Sequence, residues 1–450
     1  MFPVVSFAQQ PWYKYSPMDY SWQNVGNAGF SAGEAVNPDL AFSPSGQLYV
    51  SYEDGGDSLK ATVMKFDGTN WVNVGNADFS AEGAIEESIA FSPSDQPYVA
   101  FTLGGVNELV TVVKFDGTNW VMVGNGGFAD GYTSSKSLAF SPSGQPYIAY
   151  TDHTTDELVT VKKFNGTNWV NVGNADFSAG MAGYTSLAFS PSGQPYVAYI
   201  DYQNSGKATV MKFDGTNWTN VGNAGFSAGE SDYTSLAFDP SDGQPYVAYT
   251  DYTNNELVTV KKFNGTNWVN VGNAGFSAGQ AYNTSLAISP SGQLYVAYED
   301  GGDSLRATVM NFNGTNWVNV GNAGFSAGIV ENTSLALSPS GQPFVAYTDN
   351  VNSGKATVMK YDSVYFGIHE LQESRLSLYP NPADEKITIE TSRVTKESNL
   401  SIVNIEGQEV LTRQITELKT QLDISSLPSG VYFVRVTNER TVEVGKFVKE

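Results

Sequence analysis

Ser186-Leu-Ala-Phe-Ser-Pro-Ser-Gly-Gln-Pro-Tyr-Val-Ala-Tyr199, followed after a short turn by Lys207-Ala-Thr-Val-Met-Lys-Phe-Asp-Gly-Thr-Asn-Trp218-Thr-Asn220, decides the fold. Runs of four to seven β-branched and aromatic residues are separated by Pro, Gly, Ser, Asp and Asn, which is strand and turn chemistry. An Asp-Gly or Asn-Gly pair before the Trp supplies the positive φ of a tight hairpin. The same words recur along most of the chain. Trp22, Trp71, Trp120, Trp169, Trp218, Trp268 and Trp317 stand 49, 49, 49, 49, 50 and 49 residues apart, the one extra residue coming from the Ser-Asp-Gly insertion at 241–243.

Each repeat reads as four short strands, and no segment longer than about ten residues shows a helical apolar period, so the class is all-β. Four-stranded units of about 40–50 residues are the signature of propeller blades. The first three strands occur seven times, beginning near Leu40, Ile89, Leu138, Leu187, Leu236, Leu286 and Leu335. The last set, ending at Lys360-Tyr361-Asp362, lacks its Trp strand, whereas Trp22-Gln-Asn-Val-Gly26 has no unit in front of it. A seven-bladed β-propeller over residues 20–362, closed by the N-terminal strand, accounts for both and leaves no exposed edge. The repeated Trp and Phe (Phe30, Phe79, Phe128, Phe177, Phe226, Phe276, Phe325) are read as blade packing, because every blade needs them. Asn-Gly-Thr at 165–167, 264–266 and 313–315 fits a glycosylation sequon, but hairpin chemistry is reason enough for it.

The chain of 450 residues holds 24 Lys+Arg against 46 Asp+Glu, a net charge of −22, which argues against nucleic-acid binding. It has no Cys, so disulfides, thiolate zinc sites and cysteine nucleophiles are excluded. No apolar run reaches the length that spans a bilayer, and a monomer without a transmembrane segment is expected. Met1-Phe-Pro-Val-Val-Ser-Phe-Ala8 reads as the back half of a secretory signal without its charged front, so 1–19 is taken as a truncated signal peptide or N-terminal extension.

After Asp362 the repeat stops. Residues 363–375 read as a linker, and 376–450 as a small Ig-like β-sandwich of about seven strands. Residues 371–450 hold 10 Lys+Arg against 12 Asp+Glu, which leaves −20 for the rest of the chain. The segments Tyr379-Pro380-Asn381-Pro382, Asn404-Ile-Glu-Gly407-Gln408, Leu427-Pro428-Ser-Gly430-Val431-Tyr432 and Gly445-Lys446-Phe-Val-Lys449 run in register through this region. In these the chain closely resembles the type A C-terminal sorting domain of the Bacteroidetes type IX (Por) secretion system over about residues 366–450. The resemblance implies a Gram-negative host and a protein secreted or displayed at the cell surface. It also implies an outer-membrane translocon with its sorting machinery as partner, and removal of the domain while the cargo is released or linked to surface lipopolysaccharide. An ordinary Ig-like binding module is the alternative. Pro380, Asn381 and Pro382 are expected to set an extended entry into the first strand.

The ring holds one histidine, His153, and one arginine, Arg306, which is a poor supply for catalysis. The Asp-Gly-x-Asn-Trp hairpin resembles the Asp-box of sialidase propellers, but those hold the substrate carboxylate with several arginines. Two-carboxylate hydrolase chemistry stays open on composition alone, so the ring is read as no enzyme, with a glycan-active hydrolase ranked last. No cofactor is expected; Ca²⁺ is weighed for Glu53-Asp54-Gly-Gly-Asp57-Ser58 and Glu299-Asp300-Gly-Gly-Asp303-Ser304, which match no full loop motif. Turns after the second and fourth strands vary between blades while the others hardly do, and loops on a rigid scaffold are where binding is usually written. Blades three to five place Tyr184, Tyr202, Tyr233 and Tyr252 beside Asp152, Asp201 and Asp251 in those variable turns. Rings to stack on sugar C–H faces and carboxylates to accept hydroxyl hydrogen bonds make these the candidate ligand site, although an Asp so placed in six of seven blades equally suits a turn cap. The leading expectation is a recognition propeller, resembling propeller lectins and adhesins, for an extracellular glycan or protein; the alternative is a structural or adhesive ring without a small ligand.

Overall fold

Residues 19–450 are described by the computed structural model except 106–107, 125–126, 130–131, 365–375, 392–397, 406–407 and 438–441. The signal segment expected before Asp19, most of the linker and Gly407 therefore lie outside the described residues. Among the described residues there are strands and one-turn 3-10 helices but no α-helix.

Seven four-stranded antiparallel sheets build the unit Tyr20–Ser363. Blade 4 is representative, with Ala182–Phe189 innermost, then Pro195–Asp201, Lys207–Phe213 and the short Trp218–Asn220. Blade 7 takes Val330–Leu337, Pro343–Asp349 and Lys355–Val364 from the end of the ring, and its fourth strand is Asp19–Asn24 from the start. The ring is thus closed by hydrogen bonds between chain positions more than three hundred residues apart, such as Val25 N–H to Val358 O at 2.8 Å.

The repeated tryptophan holds each blade to the one before it. Trp71, Trp120, Trp169, Trp218, Trp268 and Trp317 donate from Nε1 to the carbonyls of Val25, Val74, Val123, Val172, Val221 and Val271, and Trp22 completes the circle on Val320 at 2.7 Å. The repeated Phe of one blade packs against the next blade's indole, near face-on in most blades and tilted by 30° for Phe128–Trp169, with ring centres from 3.9 Å apart in Phe325–Trp22 to 5.0 Å in Phe128–Trp169. Burying an indole with its donor satisfied is among the largest single contributions a core residue makes. These aromatics are core, as the repetition implies.

The innermost strands start about five residues earlier than the sequence pattern placed them, at Ala35, Ala84, Thr133, Ala182, Ser231, Ala281 and Val330. A β-bulge explains the error: pairing with the second strand shifts register, in blade 4 between Gly183 and Ser186, so the apolar alternation breaks. The bulged residue is left-handed in every blade: Asn37, Glu86, Ser135, Tyr184, Tyr233, Asn283 and Asn332 have φ between 49° and 56°.

The second unit pairs a three-stranded sheet (Ser377–Tyr379, Lys386–Glu390, Lys419–Asp423) with a four-stranded one (Glu409–Gln414, Asn399–Asn404, Gly430–Thr437, Val442–Lys449). Ile387, Ile389, Leu400, Ile402, Leu422, Val434 and Phe447 fill its core. The motif residues are its fastenings. Asn381 donates from Nδ2 to Lys446 O and accepts from Val448 N–H, both at 3.0 Å. The Tyr432 hydroxyl donates to Pro428 O at 2.9 Å, Tyr379 to a Glu390 carboxylate oxygen at 2.9 Å, and Leu427 packs against the core. Gly430 and Val431 pair with Lys449 and Val448 across the last two strands. A side chain at Gly445 would meet Leu378 Cδ1 at 2.7 Å, which explains the glycine. Residues 380–382 are bends between the strand Ser377–Tyr379 and the bridge at Ala383, not the extended entry expected from the prolines.

Candidate functional site

The seven bulges surround one end of the central channel. Each blade contributes three successive residues to its mouth, from Asn37-Pro38-Asp39 and Glu86-Glu87-Ser88 round to Asn332-Thr333-Ser334, enclosing about 380 Å³. The opposite end is walled by Phe, Ile, Leu and Pro at and beside the Ser-Pro turns, Asp239-Pro240 in blade 5, among them Phe189, Pro191, Phe238 and Pro240. The mouth therefore opens on the variable face.

Below the rim the blades are clasped in a circle. The third mouth residue is Ser in six blades, and its hydroxyl oxygen accepts the Leu N–H of the next blade, as in Ser186 with Leu236 at 3.0 Å. Blade 1 has Asp39 there instead, accepting from Ile89 N–H at 2.9 Å and from the Ser334 hydroxyl at 3.0 Å. Burial outweighs these bonds and pushes the Asp39 carboxyl up to about 6. A carboxyl raised in the folded state favours folding while it is protonated, so its contribution is complete below its ordinary range near 3.8 and is lost as pH rises through about 6. Burial moves Glu53, Glu87, Asp232 and Glu299 in the same direction. The melting temperature of the ring is expected to fall as pH is raised from 4 to 7, and Asp39→Ser, the residue of the other blades, should flatten the slope. A melting temperature that climbs over that range would contradict this assignment.

Of the candidate aromatics, Tyr184 and Tyr233 are the bulge residues of blades 4 and 5, on strands and not in loops, with ring centres 4.9 Å apart. Tyr202 and Tyr252 open the 3-10 turns Tyr202–Asn204 and Tyr252–Asn254 of the same blades and are 42% exposed. The Tyr202 ring lies over Gly183, where an added Cβ would stand 3.5 Å from it. The structure thus brings all four tyrosines to one sector of the rim.

The carboxylates chosen with them behave otherwise. Asp201 and Asp251 are 1% exposed and cap their own turns. Asp201 accepts from Asn204 Nδ2 at 2.7 Å and the Thr209 hydroxyl at 2.9 Å; Asp251 accepts from the Thr253 hydroxyl, Asn254 Nδ2 and the Thr259 hydroxyl at 2.8, 2.8 and 3.0 Å. Asp152 caps His153–Thr155 in the same manner, accepting from Thr154 N–H at 2.9 Å. The capping role is the physical reason for an Asp at this place in six blades. The carboxylate that faces the tyrosines is Asp232, which accepts the Tyr252 hydroxyl at 2.8 Å. Burial raises the phenols of Tyr184, Tyr202 and Tyr233, Tyr184 to about 12, and Asp232 adds to each rise; for Tyr252 the Asp232 bond is the main cause. Its signal in the sequence was an Asp directly ahead of the bulge, where the other blades have Val36, Ile85, Ser134, Gly183, Tyr282 and Glu331.

Tyr132 and His153 extend the rim into blade 3, their rings 4.5 Å apart. His153 is engaged by Ser134 Oγ at 2.9 Å and Glu157 at 3.1 Å. In the acidic turns weighed for calcium, strand alternation separates the carboxylates. Asp54 caps its own turn, whereas Glu53 accepts Asn37 Nδ2 and Glu86 N–H at the bulges, and Glu299 repeats this with Asn283 and Asn332. Among the described residues no three or more His, Cys, Asp and Glu are grouped to hold a metal ion.

Residues 377–450 match the secretion system C-terminal sorting domain. No curated protein matches the chain. Among solved structures, PorZ, a surface component of the type IX secretion system of Porphyromonas gingivalis, is similar with 13% identity and a TM-score of 0.45 over 93% of this chain, which spans 60% of that protein's length. A protein of unknown function from Dyadobacter fermentans has 11% identity and a TM-score of 0.44, covering 76% of this chain and 99% of its own. The SapL1 lectin, solved with α-methyl fucoside, has 14% identity and a TM-score of 0.45, covering 67% and 99%. No helix among the described residues is long and apolar enough to cross a membrane. The chain is a seven-bladed propeller carrying a type IX C-terminal sorting domain, which marks it for export to the cell surface or the extracellular space.

Proposed function

We propose that the propeller recognises an extracellular glycan at the rim of blades 4 and 5, without turning it over. The observation that carries this reading is the gathering of Tyr184, Tyr202, Tyr233 and Tyr252 around Asp232 at an open channel mouth. Flat rings of which three, Tyr184, Tyr202 and Tyr252, are exposed offer stacking surfaces for sugar C–H faces, while phenols and a carboxylate exchange hydrogen bonds with hydroxyls. Recognition is favoured over hydrolysis because the one histidine of the ring is engaged at both nitrogens and the buried Asp39 and Glu53 are hydrogen-bonded into the blades. In this reading the sorting domain engages the outer-membrane translocon and is removed, and the propeller is released or linked to surface lipopolysaccharide.

A glycan array identifies the ligand, and Tyr202→Ala with Tyr252→Ala tests the site. Loss of two stacked rings is expected to weaken binding by roughly tenfold to a hundredfold, while exposed rings contribute little to melting. Undiminished binding with a lowered melting temperature would mean that these rings only pack.

A further inference from the structure

The residue ahead of the bulge and the residue that follows the second strand share one slot at the rim. In blade 5 the Tyr252 hydroxyl donates to Asp232, and in blade 3 Ser134 Oγ meets His153 Nε2 at 2.9 Å. In blade 7 Asn350 Nδ2 donates to Glu331 Oε1 at 3.0 Å, and in blade 4 Tyr202 covers Gly183. The occupants of this slot follow a pattern round the ring. Blades 3, 4 and 5 carry a flat ring on the turn, as His153, Tyr202 and Tyr252. In blade 6 the turn opens on Gly301 and the ring comes from the inner strand instead, as Tyr282, whose hydroxyl donates to Gln280 Oε1 at 3.3 Å. Blades 7, 1 and 2 place Glu331 with Asn350, Val36 with Gly55, and Ile85 with Gly104 there. A flat ring thus occupies the slot in four consecutive blades and in none of the other three.

The four rings belong to one surface. Glu157 holds His153 Nδ1 at 3.1 Å and also acts electrostatically on Tyr202, so blade 3 adjoins blade 4. Tyr184 and Tyr233 join blades 4 and 5 at 4.9 Å, and Tyr233 feels both Asp232 and Tyr282, which carries the surface into blade 6. We propose that this arc binds a linear, uncharged oligosaccharide longer than blades 4 and 5 alone would hold, with His153 and Tyr282 as its end platforms. The proposal rests on the glycan reading and extends its site by one blade on each side. A ring in each of four successive blades offers stacking faces to successive parts of an extended chain, and the sheets beneath hold those faces in place before the chain arrives. Charge sets the class of sugar. The carboxylates of Glu157, Glu230, Asp232 and Glu256 stand around Tyr202 and Tyr252, on a chain whose net charge is −22. A uronic or sialic acid would bring a like charge among them, whereas the hydroxyls of a neutral sugar can donate to the same carboxylates.

The test is an array of linear homo-oligosaccharides, dimer to hexamer, of glucose, mannose, galactose and xylose, printed beside those of galacturonic and mannuronic acid. It is probed with the full chain over a range of concentrations in physiological salt. At least one neutral series is expected to bind more tightly from dimer to hexamer by roughly tenfold to a hundredfold, the worth of two further stacked rings, while the uronic series stay unbound. Tyr282→Ala should cut the hexamer's advantage over the dimer by roughly threefold to tenfold, and Glu331→Ala, at the corresponding place in blade 7, should keep it. Melting in parallel shows whether each variant is folded; His153→Ala, at the other end of the arc, should act like Tyr282→Ala and replaces it if that variant melts early. Dimers that bind as tightly as hexamers, uronic series that bind as well as neutral ones, or an advantage that survives both ring substitutions overturns the proposal. If none of these series binds while shorter or branched glycans bind through Tyr202 and Tyr252, the extended site is wrong and the glycan reading stands. If no glycan binds at all, both are wrong.

Discussion

Trp22→Ala is expected to lower the stability of the propeller by about 3 to 5 kcal/mol, and removal of residues 1–26 by more, with aggregation on warming. Trp22 lies in the strand that links the start of the ring to its end, and the truncation would remove three things at once. The Nε1 bond to Val320 O and the stack on Phe325 are lost, as they would be for any of the seven tryptophans. The ladder of Asp19–Asn24 on Lys355–Val364 goes too, leaving the third strand of blade 7 as an unpaired edge. Trp218→Ala removes an equivalent indole from a blade whose strands are contiguous in sequence. Deletion of 1–26 should therefore exceed Trp218→Ala in a melting experiment, and an unchanged melting temperature for the deletion would show that this strand does not hold the ring closed.

Deleting residues 377–450 is expected to abolish surface appearance in a type IX secreting host and to leave a folded, protease-resistant propeller in the periplasm. The two units have separate cores, Ile387, Leu400, Val434 and Phe447 filling the second, so loss of one need not unfold the other. A milder version is Gly445→Val, which drives a side chain into Leu376 and Leu378 and should reduce export in proportion to how far the sandwich loosens. Fractionation and blotting read both variants. Normal surface levels of the truncated chain would sink the address assigned to this domain.

The ring, its blade number and its closing strand were legible because they follow from a repeat whose aromatic and turn residues recur in phase, and because one unit lacked the strand that stood unattached at Trp22. The sorting domain was legible through short motifs whose members turn out to touch, as Asn381 does with Lys446 and Val448. The rim was only half legible. Its tyrosines are the residues that vary among blades, but a bulge hid the true start of the inner strands, so Tyr184 and Tyr233 read as loop residues. Asp201 and Asp251 are repeated acids whose constancy reflects capping, whereas Asp232 occurs once and carried no repeat signal.

The most direct test of the recognition site is a glycan array probed with the native full chain and with Asp232→Asn. The account predicts a restricted set of bound glycans whose signals fall in the variant while its melting temperature holds. An array that retains no glycan, or one whose signals Asp232→Asn leaves intact, contradicts it.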